Sequence, residues 1–315
     1  MTSSHGRGLL HLAAAVDQRE ARDADPYAEA VRLAERGALD FVTLGDDSAW
    51  LGPDGSGAPG LDALAVLTRV APATRRIGLV PRTSTEPSRA RAALATLDRV
   101  SGGRAGRHLD LPAAEGETRL LEGWEDSGSP QGRPVHVVDA TDVRTRSSAA
   151  RHADVALARV TSPAQAAAVR DELRDAAREF GREPDALRFL ASLTVDLGDG
   201  EHVAEPGWGS ALFERSRELE GGGGGPRQTA QGPFYRGGPV DLAELIAHWH
   251  AAGVVDGFHL TPAEPRRDLE RLVNGTVALL QHRGLFRTFY PGSTLREHLG
   301  LPGPAHRYVV TGGTS

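Results

Sequence analysis

The sequence has 315 residues but contains no cysteine and no lysine. Without cysteine, the chain can form no disulfide, no thiolate nucleophile and no cysteine-ligated metal site. Without lysine, it can form neither a Schiff base with a carbonyl compound nor the lysine contact of a P-loop. All 36 basic residues are therefore arginine, and several classes of enzyme are excluded at once.

An excess of positive charge and a long apolar run are also missing. The formal net charge is −6, so we expect neither nucleic acid nor an anionic membrane as a partner. No apolar run approaches the roughly 20 residues of a membrane span, and the first residues, MTSSHGRG, do not resemble a signal peptide. The histidines show no HExxH spacing, which argues against a metal site. We expect a soluble, cytoplasmic protein.

The chain instead contains short apolar runs that alternate with helical segments. Residues 77–104, IGLVPRTSTEPSRARAALATLDRVSGGR, show the unit: an apolar run, a polar loop, and a helix that starts at Pro87 and ends at two glycines. Similar apolar runs occupy residues 9–16, 40–44, 134–139, 154–158, 187–197 and 254–260. With residues 106–111 as the fourth strand, the count is eight. This pattern predicts an α/β protein, a (β/α)8 TIM barrel, whose ligands bind at the carboxyl ends of the strands.

Two segments depart from this alternation, although the chain as a whole (residues 1–315) is predicted to form a single barrel domain. Residues 110–131 are acidic and rich in glycine where a barrel normally has a helix. Residues 218–238 include five consecutive glycines and are predicted to form a mobile loop. Residues 282–315 extend beyond the last long helix as a C-terminal tail. No GxGxxG follows a predicted strand, which disfavours an open dinucleotide-binding sheet.

Five blocks of the sequence resemble the bacterial-luciferase-like flavin-dependent monooxygenases, in particular the branch with nitrilotriacetate and dibenzothiophene-sulfone monooxygenases. In chain order the blocks are HLAAAVD (11–17), LAERGALDFVTLGDDS (33–48), APATRRIGLV with ATLDRVSGGRAG (71–106), QGRPVHVVDATD with AARHADVALA (131–158), and DGFHL (256–260) followed by QHRGLFRTFYPGSTLREHLGLPGPAHRY (281–308). Together they span most of the chain in the order found in that family.

The resemblance implies a luciferase-like barrel that binds reduced FMN, supplied by a separate flavin reductase, at the carboxyl ends of the strands. It also implies a monooxygenase that uses O2 on a small organic substrate, and a homodimer. Some relatives use a deazaflavin coenzyme instead. The physical logic is that loop hydroxyls and amides suit the polar edge of the ring and the phosphate, while apolar strand residues exclude water.

Position by position, the resemblance implies cofactor contacts after the second, third and fifth strands. The residues are Asp46, Asp47, Thr83, Ser84, Thr85, Thr141 and Asp142. Helix capping and turn formation are the structural alternatives for all of them. Asp142 departs from the family, because a carboxylate there would repel the phosphate unless Arg144 or Arg146 supplies a cation.

Two further departures concern the fourth strand and the segment after it. The strand reads GRHLD, and the long insertion that follows it in relatives is almost absent. His108 and Asp110 lie two residues apart on this strand, so they share a face and are candidates for an acid/base pair. His11, on the first strand, is a candidate for the pocket. A buried polar contact is the structural alternative for each. In the tail, a structural role is expected of Arg287, Tyr290, Arg296 and His298, which would wrap the barrel or meet a second subunit.

Three functions follow in order. The first is an FMNH2-dependent monooxygenase. The second is a non-catalytic paralogue that keeps the barrel as a subunit or ligand-binding protein. The third is a deazaflavin-dependent hydride-transfer enzyme.

Overall fold

The computed structural model describes residues 8, 10–18, 21, 23–45, 61–82, 87–109, 129–198 and 225–303. Asp46, Asp47, Thr83, Ser84, Thr85 and Asp110 lie outside these ranges, so their predicted roles stay predictions. Within the described residues, no helix is long and apolar enough to cross a membrane.

Eight parallel strands form a barrel, which confirms the predicted architecture. They are β1 (His11–Ala15), β2 (Phe41–Leu44), β3 (Gly78–Pro81), β4 (Gly106–Leu109), β5 (Val135–Asp139), β6 (Val155–Ala158), β7 (Arg188–Asp196) and β10 (Gly257–Pro262). The strands pair in the order β3-β2-β1-β10-β7-β6-β5-β4. Two parallel bridges, Leu79 to Ala105 and Arg82 to His108, join β3 to β4 and close the ring.

Helices follow the strands, and the third begins at Pro87, as the sequence predicts. They are α1 (Asp25–Arg36), α2 (Ala63–Val70), α3 (Pro87–Ser101), α4 (Val143–His152), α5 (Pro163–Glu179), α6 (Pro239–Ala251), α7 (Pro265–Arg271), α8 (Ala278–His282) and α9 (Leu295–His298). A single π-helical turn, Leu272–Val277, joins α7 to α8. The Ser162 hydroxyl accepts a hydrogen bond from the Gln165 backbone amide at the start of α5.

The prediction of a loop over residues 218–238 is wrong for its second half. Two strands, β8 (Arg227–Thr229) and β9 (Gly232–Arg236), form a hairpin there. β9 also runs parallel to β7, with Thr194 opposite Phe234. The hairpin thereby extends the sheet at the carboxyl end of β7, where β6 has already ended.

Two separate apolar cores stabilise the barrel. The larger one lies between the strands and the surrounding helices. The smaller one fills the barrel interior toward the amino ends of the strands, which we call the lower half. Its strand residues are Ala13, Phe41, Val80, Val135, Val137, Val155, Leu157 and Leu190, and they pack against Leu295, Leu299 and Leu301. These three leucines belong to the C-terminal tail, so the tail forms the floor of the barrel.

Leu295 enters the barrel between β3 and β4. A Cβ atom on Gly78 would lie 2.5 Å from its Cδ1, so a glycine at the start of β3 is what lets the leucine in. The Leu295 amide donates to the Gly103 carbonyl before β4, and Arg76 before β3 donates to Gly292. The tail is therefore bound to the loops at the amino ends of the strands, as the structural interpretation of its sequence expected.

Two buried ion pairs anchor the tail at either side of the floor. Arg287 lies 2.7 Å from Asp40 before β2, and Arg296 lies 3.1 Å from Asp154 before β6. Burial raises the pKa of Asp40, but Arg287 and His11 outweigh it, so the pKa falls to about 2. Asp40 is therefore ionised at neutral pH and depends on its cationic partner.

Replacing Leu295 with alanine is expected to lower the free energy of unfolding by about 2 to 5 kcal/mol, because the side chain is fully buried and its removal leaves a cavity in the floor. Urea denaturation followed by circular dichroism measures this. Phe289→Ala is the control, since Phe289 belongs to the same tail but is 75% exposed. Equal losses in the two variants would contradict the role of Leu295 as a floor residue.

Arg287→Met is expected to destabilise the protein by about 3 to 5 kcal/mol at pH 7, because the buried Asp40 carboxylate loses its guanidinium partner and keeps only the contacts with His11 and the Leu12 amide. The depressed pKa of Asp40 contributes stability above its ordinary value of 3.8, and that contribution is lost as the pH falls toward 2. In the variant, burial acts without Arg287 and raises the pKa. The difference between wild type and variant should therefore shrink from pH 7 to pH 4.5.

Arg283→Met provides the matched control for this experiment. Arg283 pairs with Glu244, but both side chains are partly exposed, so the loss should stay below about 1 kcal/mol. A pH-independent difference for Arg287→Met would show that packing, rather than charge, explains its effect.

Candidate functional site

The barrel interior becomes polar toward the carboxyl ends of the strands, which we call the upper half. Side chains two residues apart on a strand share a face. The apolar Phe41 and Leu190 of the lower half are followed at that spacing by Thr43 and Ser192. On β4 and β10, the inward glycines are followed by His108 and His259. The change from aliphatic to hydroxyl and imidazole groups marks the upper half as the place where a polar ligand can bind.

His259 lies at the centre of a hydrogen-bonded group that joins three strands. Its Nε2 is 2.8 Å from the Thr43 hydroxyl on β2, and its Nδ1 is 3.2 Å from the Ser192 hydroxyl on β7. Burial, reinforced by the nearby His108 and Arg82, lowers the pKa of His259 to about 3. The imidazole is consequently neutral at physiological pH and offers one donor and one acceptor.

Partly exposed polar residues surround this group at the carboxyl ends. On β7, Ser192, Thr194 and Asp196 alternate with buried residues, and on β10 Thr261 is partly exposed. Thr261 is paired in register with Thr194, as His259 is with Ser192. This partial exposure shows that the side chains of β7 and β10 do not fill the upper half. We call Ser192, Thr194, His259 and Thr261 the polar wall.

The carboxyl end of β5 carries the predicted residues Thr141, Asp142 and Arg144. The Thr141 hydroxyl accepts a hydrogen bond from the Arg159 backbone amide after β6. Asp142 caps α4 by accepting from the Arg144 amide, and the Arg144 guanidinium lies 2.8 Å from the same carboxylate. The side-chain hydrogen bond from Arg144 is the main cause that lowers the pKa of Asp142 to about 2.

Of the two arginines that the sequence offers as a cation beside Asp142, Arg144 is therefore the one that pairs with it. Arg146 pairs with Glu172 instead, and it also donates to the carbonyls of Ala140 and Thr141. The capping alternative for Asp142 is present as well, because one carboxylate oxygen accepts from the first turn of α4. The two interpretations of Asp142 are compatible, since the carboxylate remains about half exposed.

His11 is not where the sequence placed it. It is the first residue of β1, at the amino end, and its Nδ1 lies 3.0 Å from Asp40 in the floor. That end is opposite to the polar upper half. We therefore correct the expectation for His11 in favour of its structural alternative. His108 does lie inside the barrel near the carboxyl ends, bridged to Arg82 and close enough to lower the pKa of His259.

The sequence did not single out Thr43, Ser192 or His259. A signal was nevertheless present, because His259 lies between Phe258 and Leu260 in a buried strand and shares a face with Gly257, two residues before it. A histidine within a buried strand needs hydrogen-bond partners, and the inward threonine and serine of β2 and β7 supply them.

Comparison with known proteins connects this barrel to a family. The family model described as luciferase-like monooxygenase matches residues 6–109 and 110–235. N-acetyl-S-(2-succino)cysteine monooxygenase of Bacillus subtilis is 23% identical, with 90% of this chain and 91% of that protein covered. Nitrilotriacetate monooxygenase component A of Aminobacter aminovorans is 24% identical over the same shares.

The alignments and solved structures add two points. The alignment with the Bacillus protein spans 406 positions, more than the 315 residues of this chain, so that relative has segments without a counterpart here. EDTA monooxygenase from Chelativorans sp. BNC1 superposes with a TM-score of 0.73 at 19% identity and covers 94% of this chain and 99% of its own. The matched family model covers well over half of the sequence, and the chain accordingly belongs to the luciferase-like monooxygenase family of flavin-dependent oxidoreductases.

Proposed function

We propose that the protein is a monooxygenase that binds reduced FMN in the upper half of the barrel and uses O2 to oxidise a small organic substrate. The observation that carries this proposal is the division of the interior into an apolar, sealed lower half and a polar, partly exposed upper half. The flavin ring fits such a site, because the polar atoms along one of its edges can form hydrogen bonds with the polar wall.

The described residues fit the ring. Ser192, Thr194 and Thr261 offer hydroxyls that both donate and accept hydrogen bonds, which suits the alternating carbonyls and nitrogens of a flavin edge. Below this site, Val137 and Leu157 of the lower half are buried and apolar, so they help to close the interior to water. Reduced FMN would supply two electrons and a site for activating O2. The protein would bind and orient the ring and exclude water from it.

The phosphate is proposed to lie at the carboxyl end of β5, beside Thr141, Asp142 and Arg144. Arg144 neutralises Asp142, which removes the repulsion that an unpaired carboxylate would exert. Its guanidinium is 73% exposed and has five donors, so it can bond to a phosphate while it remains paired. Asp46, Asp47, Thr83, Ser84 and Thr85 remain proposed flavin contacts, and His108 with Asp110 a proposed acid/base pair.

A separate flavin reductase is the proposed source of reduced FMN. Among the relatives, one is named component A of nitrilotriacetate monooxygenase, and another is named as one of the subunits of pristinamycin IIA synthase, of Streptomyces pristinaespiralis. Those names describe parts of larger systems. A homodimer is proposed on the family resemblance.

Anaerobic titration of the protein with FMNH2 tests the proposed function, and we expect micromolar binding. Thr194→Trp should weaken that binding at least about tenfold, because the indole would occupy the space beside the polar wall. Val100→Trp is the control, since Val100 lies near the end of α3, is 49% exposed and is remote from the carboxyl ends of the strands.

The outcome also separates the alternative functions. Binding of a reduced deazaflavin without binding of FMNH2 would favour hydride transfer. Absence of binding for both would favour a non-catalytic paralogue. Equal affinities in Thr194→Trp and wild type would place the flavin elsewhere on the protein.

Arg144→Ala should weaken FMNH2 binding by about two- to fivefold, because Asp142 would then repel the phosphate at an exposed position. Reduced riboflavin lacks the phosphate, so its affinity should not change. Arg178→Ala is the control and should leave both affinities unchanged, because Arg178 forms an exposed pair with Asp175 near the end of α5, remote from the carboxyl ends of the strands. If Arg144→Ala weakens both flavins equally, the phosphate does not lie beside Asp142.

A further inference from the structure

We propose that His259 is a positioning residue, which holds the hydroxyl of Ser192 in a fixed orientation toward the flavin ring and transfers no proton during the reaction. The inference rests on the proposed function, since it assigns a role within the same site. It concerns the group Thr43, His259 and Ser192, which joins β2, β10 and β7 in the upper half of the barrel.

The geometry distinguishes the member that meets the ligand from the two that support it. Thr43 is 5% exposed and His259 is 6% exposed, whereas Ser192 is partly exposed. Both nitrogens of the imidazole are engaged, Nε2 with Thr43 and Nδ1 with Ser192. The imidazole therefore has no nitrogen left for a ligand, and any effect it exerts on one passes through Ser192.

A serine beside a histidine could instead be a nucleophile with its general base, but the pKa of His259 opposes this role. A general base needs a pKa near the working pH. Burial holds the pKa of His259 at about 3, and the charged or titratable groups that act on it, His108 and Arg82, lower it further. An imidazole with that pKa does not accept the serine proton at neutral pH, so Ser192 stays a hydroxyl.

The neutral state of His259 also determines the direction of its two hydrogen bonds. A neutral imidazole donates through one nitrogen and accepts through the other, so one of its two hydroxyl partners accepts and the other donates. Because Thr43 on β2 is buried and Ser192 lies on β7, the pair of hydrogen bonds fixes the imidazole between two strands. The Ser192 hydroxyl then presents a defined donor or acceptor to the ligand instead of rotating freely.

A double-mutant cycle on FMNH2 affinity tests this role. His259→Leu and Ser192→Ala should each weaken binding by about five- to tenfold, which corresponds to one hydrogen bond. The double variant should lose no more than the larger single loss, because both changes remove the same contact. His259→Gln should restore much of the affinity, since a side-chain amide also offers both a donor group and an acceptor. Additive losses would overturn the proposal.

Two controls exclude a general effect of losing a buried histidine. His298→Leu removes a buried histidine of the tail, whose Nε2 lies 3.1 Å from the Gly292 carbonyl, so it should lower stability and leave flavin affinity unchanged. Any pH dependence of the wild-type affinity between about pH 5.5 and 8.5 should come from the flavin itself, whose phosphate titrates at about pH 6, and should persist in His259→Leu, because the neutral imidazole does not titrate there. A titration in that range that disappears in His259→Leu would show proton exchange and reject the positioning role.

Nitrogen-15 NMR of the histidine rings separates this inference from the proposed function. In ligand-free protein, the His259 signals should stay at neutral-imidazole values from pH 8 to 5 and should shift in Ser192→Ala. If wild type binds no reduced flavin, the proposed function fails and the role toward the ring fails with it, while the NMR result still decides whether a neutral His259 holds Ser192. Binding together with a protonated His259 would reject only the inference.

Discussion

The insertion of Leu295 into the amino end of the barrel is the contact on which the remaining structure depends. A ring of eight strands encloses an interior that is open at both ends unless something fills it. Here the tail fills one end with leucines, and the strands meet them with aliphatic side chains. The lower half is thereby closed to water, and the upper half is the remaining opening. The reduced cofactor proposed for the upper half would require this asymmetry.

Apolar contacts alone would not fix the position of the tail, because leucines can pack in several registers. The pairs Arg287–Asp40 and Arg296–Asp154 add directional contacts on two sides of the floor. Each places a charge in a buried environment, where a shifted register would leave that charge unpaired at a cost of several kcal/mol. The ion pairs therefore act mainly by excluding wrong positions of the tail.

The exclusive use of arginine has a structural consequence in this framework. Arg104, in the sequence SGGR, donates to the carbonyls of Ser101, Ile77, Ala71 and Thr74 and to the Thr74 hydroxyl. A lysine ammonium has three donors and could not satisfy these five acceptors. Asp98, in the same segment, bonds to Gln131 and to the Ala105 amide. The family-like segment that contains Asp98 and Arg104 therefore has a structural role, because its hydrogen bonds hold the loops before β3 and β4 in place.

The barrel could be predicted from the sequence because its determinants are local. Apolar runs such as residues 154–158 and helix starts such as Ser162-Pro163 act within a few residues. The hairpin β8–β9 was missed because its stability comes from pairing with β7, which is distant in sequence. His11 was misplaced for a related reason. A histidine on a strand can face either end of a barrel, and only its contact with Asp40 decides which.

The group of Thr43, His259 and Ser192 could not be predicted either, because its hydrogen bonds join strands that are distant in sequence. Its location matters for the effect of the shortened segment between β4 and β5. Thr43, Ser192 and His259 belong to β2, β7 and β10, and none of these strands borders the segment between β4 and β5. On the β7 side, the hairpin supplies a further layer, with Gly232 in contact with Arg159 after β6. The contacts proposed to orient the flavin ring therefore lie away from the shortened segment. Under the proposed function, the shortening would change the surroundings of the substrate more than the position of the flavin.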